Sequence, residues 1–173
     1  VGCGEGALLD VLALHVDQVT GIDRSGPMVE SARRRSAGSG NVVVREAVFD
    51  TEQGTYDVIT MIAVLHHLDV RSALRQVRGM VRPGGRFLCV GLARIGPGLI
   101  DQGWDVLCAV TNPLIGIAKH PRAVRGEPAP SPVPVADPTV TYADLRRMVR
   151  EELPGARMRR RLGFRHTIEW RAP

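Results

Sequence analysis

The chain has little cysteine: Cys3, Cys89 and Cys108 are the only three in 173 residues, an odd number at no metal-ligand spacing. A disulfide scaffold wants a denser, even set, so all three read as free thiols in a reducing cytoplasm, and no metal site is expected. Long apolar runs are also missing. Gly, Pro, Asn or a charge interrupts every candidate stretch within about 18 residues, which argues against a transmembrane span. No charged and then apolar leader opens the sequence, so no secretory signal is expected. Lysine is reduced to Lys119; the other basic residues are arginine. Low complexity is confined to residues 126–138, where Pro128, Pro130, Pro132, Pro134 and Pro138 predict an extended connector.

What is present suits one globular domain: 44% hydrophobic and 24% charged residues over a length that can bury a sizeable core. The net charge of +5 is uneven. Residues 1–140 sum to zero, and residues 141–173 carry the whole excess. Strand and helix signals alternate over the first 95 residues. Leu8, Leu9, Leu12 and Val16 give Ala7–Asp17 a helix face. Val19–Asp23 is a short apolar strand. Pro27–Ala37 reads as a helix capped by Ser25, and Val42–Val44 as a β-branched strand. Tyr56–Val64 is an apolar strand, Arg71–Val81 a helix ended by Pro83-Gly84-Gly85, and Arg86–Leu92 a further strand. Such alternation predicts a parallel α/β sheet with right-handed crossovers.

The pattern then changes. Gly98–Ile117 reads as one or two apolar helices with an interruption at Asn112-Pro113, and with Trp104 it is a candidate lid or partner patch. Thr141 caps a helix through Leu153, with Asp144 at capping-box distance. In the tail, Met158, Leu162, Phe164, Ile168 and Trp170 fall on even positions, and Arg157, Arg159, Arg161, Arg165 and Arg171 on odd ones. Period 2 predicts terminal strands with an apolar inner face and an arginine outer face. The division is a core at 1–95, a helical and proline-rich insertion at 96–140, and a terminal helix and strand at 141–173.

Three features carry chemistry. Gly2, Gly4 and Gly6 in Gly2-Cys3-Gly4-Glu5-Gly6 permit a tight turn and close backbone approach by a ligand, ahead of a helix N-terminus. Asp23 ends the next strand, where a carboxylate can accept both hydroxyls of a ribose. Glu46-Ala47 ends the strand after that, where an acid can accept from an adenine amino group while the next N–H meets the ring. All three line one edge of the sheet, outside the carboxyl ends of the strands, which is where open α/β sheets bind ligands.

With these residues the chain resembles class I S-adenosylmethionine-dependent methyltransferases of the bacterial small-molecule type. The glycine loop matches the first motif, and Gly21-Ile22-Asp23-Arg24-Ser25 with Met28 the second. Tyr56-Asp57-Val58-Ile59 with Val64-Leu65-His66-His67-Leu68 matches the fourth strand and its loop, and Val81-Arg82-Pro83-Gly84-Gly85 the turn before the fifth. The likeness is strong over residues 1–92 and looser at the tail. It implies a Rossmann-like, mostly parallel sheet with helices on both faces and S-adenosyl-L-methionine as cofactor. By resemblance Gly2, Gly4 and Gly6 face the methionine moiety, Asp23 holds the ribose, Arg24 or Met28 packs near the adenine, Glu46 and Ala47 meet its edge, and Ile62 and Ala63 lie at the amino-acid end. The implied reaction is in-line attack of a small-molecule nucleophile on the sulfonium methyl. His66 and His67, after the fourth strand, are the candidate bases.

The family places a strand directly before the glycine loop, and here only Val1 stands in it. That predicts a sheet lacking its first strand, with weakened cofactor binding and stability. Three rivals follow: a non-catalytic remnant of the fold, an RNA methyltransferase using the terminal arginines, and a dinucleotide-dependent oxidoreductase. The glycine spacing argues against the last, and few aromatics for base stacking argue against the RNA reading.

Overall fold

The computed structural model describes residues 1–119 and 137–173, so all of the expected proline-rich connector but its last two positions lies outside the described residues. The glycine turn leads into α1 (Ala7–Ala13), then β1 (Val19–Asp23), α2 (Gly26–Arg35) and β2 (Val42–Glu46). There follow β3 (Tyr56–Ile62), α3 (Val70–Met80) and β4 (Val81–Leu92). A long helix, α4 (Leu99–Lys119), precedes α5 (Tyr142–Glu152) and the terminal hairpin of β5 (Arg157–Arg161) and β6 (Arg165–Arg171). The architecture is α/β, as the sequence predicts.

Local chemistry explains the elements. Asp69 starts α3 by accepting the Ser72 N–H at 2.8 Å, and Val70, Ala73, Leu74 and Val77 then bury one stripe of that helix. Thr141 starts α5 by accepting the Asp144 N–H at 3.2 Å and donating its hydroxyl to the Asp144 carboxylate at 2.8 Å, a capping box built with Asp. The two helices share one core with Phe87, Cys89, Ile168 and Trp170 of β4 and β6. Arg71 and Arg75 of α3 both donate to the Glu152 carboxylate of α5, at 2.8 and 3.1 Å, and pin the helices together.

Several boundaries differ from expectation. Helix α1 stops at Ala13 rather than Asp17, because the Asn41 side chain donates to the carbonyls of Ala13 and Val16 and closes the turn. Strand β4 starts at Val81 and runs through Pro83-Gly84-Gly85: Val81 pairs with Tyr56, and Gly84 and Gly85 exchange backbone bonds with Ala172. Helix α4 passes Asn112-Pro113 unbroken. In the tail, Leu162 and Phe164 are exposed because they sit in the β5–β6 turn, where Phe164 takes φ 59°. Arg160 instead falls on the inner face, opposite His166.

Pairing divides the strands into two sheets. β1 and β2 form a parallel pair, and the second sheet runs β3-β4-β6-β5, with β3–β4 parallel and the rest antiparallel. Among the described residues β1 and β3 do not pair with each other. Between them lie the first three residues: the Val1 ammonium donates to Thr60 O at 2.9 Å, and Cys3 N–H to Ile22 O at 3.0 Å. On the face of the second sheet away from α3 and α5, Val58, Ile62 and Leu88 are exposed, although parallel strands are ordinarily covered on both faces.

Candidate functional site

The glycine loop is built by left-handed backbone. Gly2, Gly4 and Gly6 all have positive φ, 63°, 51° and 85°, a region that strains any residue with a Cβ. Each serves a different end. A Cβ on Gly2 would strike the Val64 side chain, and one on Gly6 would meet Ala32 of α2 at 3.0 Å, so both hold the loop against neighbours. At Gly4 nothing lies within 4 Å of that position, and the loop there faces open space.

Asp23, at the carboxyl end of β1, reaches back to this loop. Its Oδ2 accepts the Gly4 N–H at 2.9 Å and its Oδ1 the Ser25 N–H at 3.0 Å. A carboxylate has about four lone-pair positions, so two remain for a ligand. The Cys3 thiol beside it is pushed up, chiefly by burial and then by the Asp23 charge. Met28 is buried in α2 and Arg24 is exposed, so of the two only Arg24 is free to swing over a bound ring. Glu46 is exposed at the end of β2, and its Oε2 lies 3.0 Å from where a Gly26 Cβ would be. The Ala47 N–H donates to Asp23 O at 3.0 Å, because the β1–β2 ladder runs one residue further than the sequence suggests. The expected donor to a ring is therefore engaged, and Ala47 offers its side chain instead. Ile62, the last residue of β3, and Ala63 just beyond it are both exposed, and Ala63 takes φ 56°, a left-handed conformation that a non-glycine residue adopts at a cost of about 1–3 kcal/mol.

His66 and His67 occupy a single turn after β3, with ring centroids 4.1 Å apart. Burial, and then the charge of His67, lowers the His66 pKa. The sequence missed a third histidine. His166 of β6 is 1% exposed, and burial followed by the charge of His66 lowers its pKa to about 4. It sits opposite Gly91 of β4, where a Cβ would come within 2.8 Å of the imidazole. Tyr142 meets it edge-on at 6.4 Å, and Arg160, ion-paired with Asp101, lies 4.1 Å over the Tyr142 ring. The available signal was the period-2 tail, in which His166 is a polar residue on the even, apolar face. Among the described residues no cluster of three or more His, Cys, Asp or Glu side chains could hold a metal, and no helix is long and apolar enough to cross a membrane.

The glycine loop thus lies against the end of β1 and the turn after β3, and the end of β2 bonds to the end of β1. The model of a methyltransferase domain matches residues 1–87. An uncharacterized methyltransferase of Mycobacterium bovis is 32% identical over 180 residues, covering 100% of this chain and 85% of the relative. A ubiquinone biosynthesis O-methyltransferase of Pectobacterium atrosepticum is 36% identical over 91 residues, 49% of this chain and 38% of that one. Among solved structures, the magnesium protoporphyrin IX methyltransferase of Synechocystis, with bound SAH, superposes with a TM-score of 0.63 at 17% identity, covering 99% of this chain and 71% of that one. The Rossmann-like expectation is borne out by that likeness of fold. On the domain match and the Mycobacterium relative that aligns with 100% of this chain, the chain belongs to the methyltransferase domain family.

Proposed function

We propose that the chain binds S-adenosyl-L-methionine over the glycine loop and passes its methyl group to a small-molecule acceptor in the cytoplasm. The carrying observation is the loop itself: three left-handed glycines, with open space at Gly4 and the Asp23 carboxylate tied to the Gly4 N–H. That cradle fits the cofactor's amino-acid end and ribose. The cofactor supplies a methyl on a cationic sulfur, which leaves as a neutral thioether.

The protein's own residues then bind, orient and exclude water. Gly2 and Gly6 hold the loop against Val64 and Ala32, so Gly4 can meet the ligand without rearranging. Asp23 keeps lone pairs for two hydroxyls. Glu46, Arg24 and the side chain of Ala47 border the adenine, and Ile62 and Ala63 close the amino-acid end. His66, whose lowered pKa leaves it neutral at pH 7, takes a proton from an acceptor that must lose one; His67 is the neighbouring candidate.

Titration calorimetry with S-adenosylhomocysteine tests this reading. The folded chain is expected to bind with a Kd on the order of micromolar, about −8 kcal/mol, and Asp23→Ala to weaken it at least tenfold. A version carrying an apolar strand ahead of Val1 is measured alongside. Binding by that form alone would assign the loss to the space between β1 and β3, and no binding by either folded form refutes the assignment.

A further inference from the structure

His66 and His166 stand 100 positions apart in the chain and line one small space. Leu65, Val70, Leu92 and Leu145 wall it, and Pro138-Thr139-Val140 cover it. The covering segment is fixed by backbone bonds: Arg94 N–H donates to Val140 O at 2.8 Å, and Tyr142 N–H to Arg94 O at 3.2 Å. Among the described residues, three buried ring nitrogens of this pair have no hydrogen-bond partner: Nδ1 of His66 and both nitrogens of His166. Leaving a buried polar group unpaired costs about 1–3 kcal/mol, so these nitrogens need partners; one water can serve His66 Nδ1 and one nitrogen of His166, because the two nitrogens of a single ring point apart. The space, about 10 Å³, is about enough for one water molecule.

We infer that one ordered water in this space links the His66 and His166 imidazoles, so that His166 is a positioning residue that fixes the ring and tautomer of His66. The opposite nitrogen of His66, Nε2, lies across the ring from the buried Nδ1 and is left for the acceptor. This extends the proposed role of His66, but the link exists without any acceptor and is tested without one. A histidine whose inner nitrogen is held by a partner presents its outer nitrogen in one defined state.

The charged and titratable groups around the pair are few. His67 stacks on His66. Cys89 of β4 lies beside Gly91, its thiol pushed up to about 12 by burial. Tyr142 comes from α5 and Arg160 from β5, the latter neutralised by Asp101 of α4. Arg71, the charged neighbour of Val70 on α3, is turned to Glu151 and Glu152. The carboxylates named here, Asp101, Glu151 and Glu152, are each paired with an arginine.

The experiment is nitrogen-15 NMR of the histidine rings across pH 5–8, on the wild type, His166→Leu and His166→Gln. In the wild type His66 is expected in a single tautomer. The Leu variant removes the acceptor for the charged form, so His66 should show mixed tautomers and its protonation constant should fall about threefold. The Gln variant, which keeps a hydrogen-bonding group, should restore the single tautomer. An unchanged or strengthened protonation of His66 in the Leu variant, or a Gln variant that behaves like Leu, overturns the link. If the Leu variant does not fold, wild-type cross-relaxation between the imidazole protons and a long-lived water decides: its presence supports the link and its absence overturns it. Since S-adenosylhomocysteine binding is not involved, failure here leaves the methyltransferase reading standing, and failure there leaves this one.

Discussion

Acidification should destabilise the protein through His166 in particular. In the unfolded chain an imidazole protonates near 6.5; in the fold, burial and the neighbouring His66 lower His166 to about 4. Between these values the unfolded state binds the extra proton, so stability falls as pH falls. The penalty is absent above about pH 6.5 and complete below about pH 4. A gap of about 2.5 units, at about 1.4 kcal/mol each, makes it about 3 kcal/mol, a large share of the 5–15 kcal/mol that holds a typical domain. The perturbation is His166→Leu, which fills the site with a group that cannot titrate. Urea unfolding of both proteins at pH 7.5 and pH 4 is followed by tryptophan fluorescence; Trp170 is buried and donates its indole N–H to Pro154 O at 3.0 Å. The carboxylates are common to both chains and cancel in the comparison. The stability of the variant relative to the wild type is expected to rise by about 3 kcal/mol between the two pH values. A change below about 1 kcal/mol would mean that water reaches His166 freely, and would refute the buried-imidazole account.

Four further outcomes follow from the loop, a cap and the gap between the sheets. Gly6→Ala forces a Cβ against Ala32 at φ 85° and should lower stability by about 1–3 kcal/mol in a melt. Gly4→Ala meets no neighbour, so it should cost only about 1 kcal/mol of backbone strain while cutting S-adenosylhomocysteine affinity more than tenfold by calorimetry. Thr141→Ala removes the α5 cap and should cost about 1 kcal/mol, read from urea midpoints. An apolar extension ahead of Val1, as long as β1, should raise the melting temperature by supplying backbone partners between β1 and β3; an unchanged melt would mean that this space does not accept a strand.

Legibility followed the range of the interactions. The glycine loop, Asp23 and Glu46 were readable because backbone strain and strand ends are local properties. The start of α5 was readable because Thr141 acts on a residue three positions away; that of α3, read at Arg71, lies one residue earlier, where Asp69 caps it. The end of α1 was not, since Asn41 closes it from the far side of α2. Nor was the engagement of the Ala47 N–H, which depends on how far the β1–β2 ladder runs. His166 escaped because its meaning depends on His66, on Gly91, which makes room for it, and on the segment before α5 that covers both. No spacing along the chain encodes that meeting.

The division between the two sheets bears on how the protein opens. Leu9, Val19, Val29, Ala32 and Val44 form a small apolar cluster of their own, apart from the larger one around Phe87 and Leu74. The glycine loop crosses between them, with Val1 bonded to β3 and Cys3 to β1. The smaller cluster has the fewer contacts to break, so it is the unit whose amides exchange first. A ligand gripping both Gly4 and Asp23 on one side and the end of β3 on the other closes that seam. Cofactor concentration then becomes a term in the cooperativity of folding: the loaded protein is expected to protect the amides of the smaller cluster more nearly as well as those of the larger.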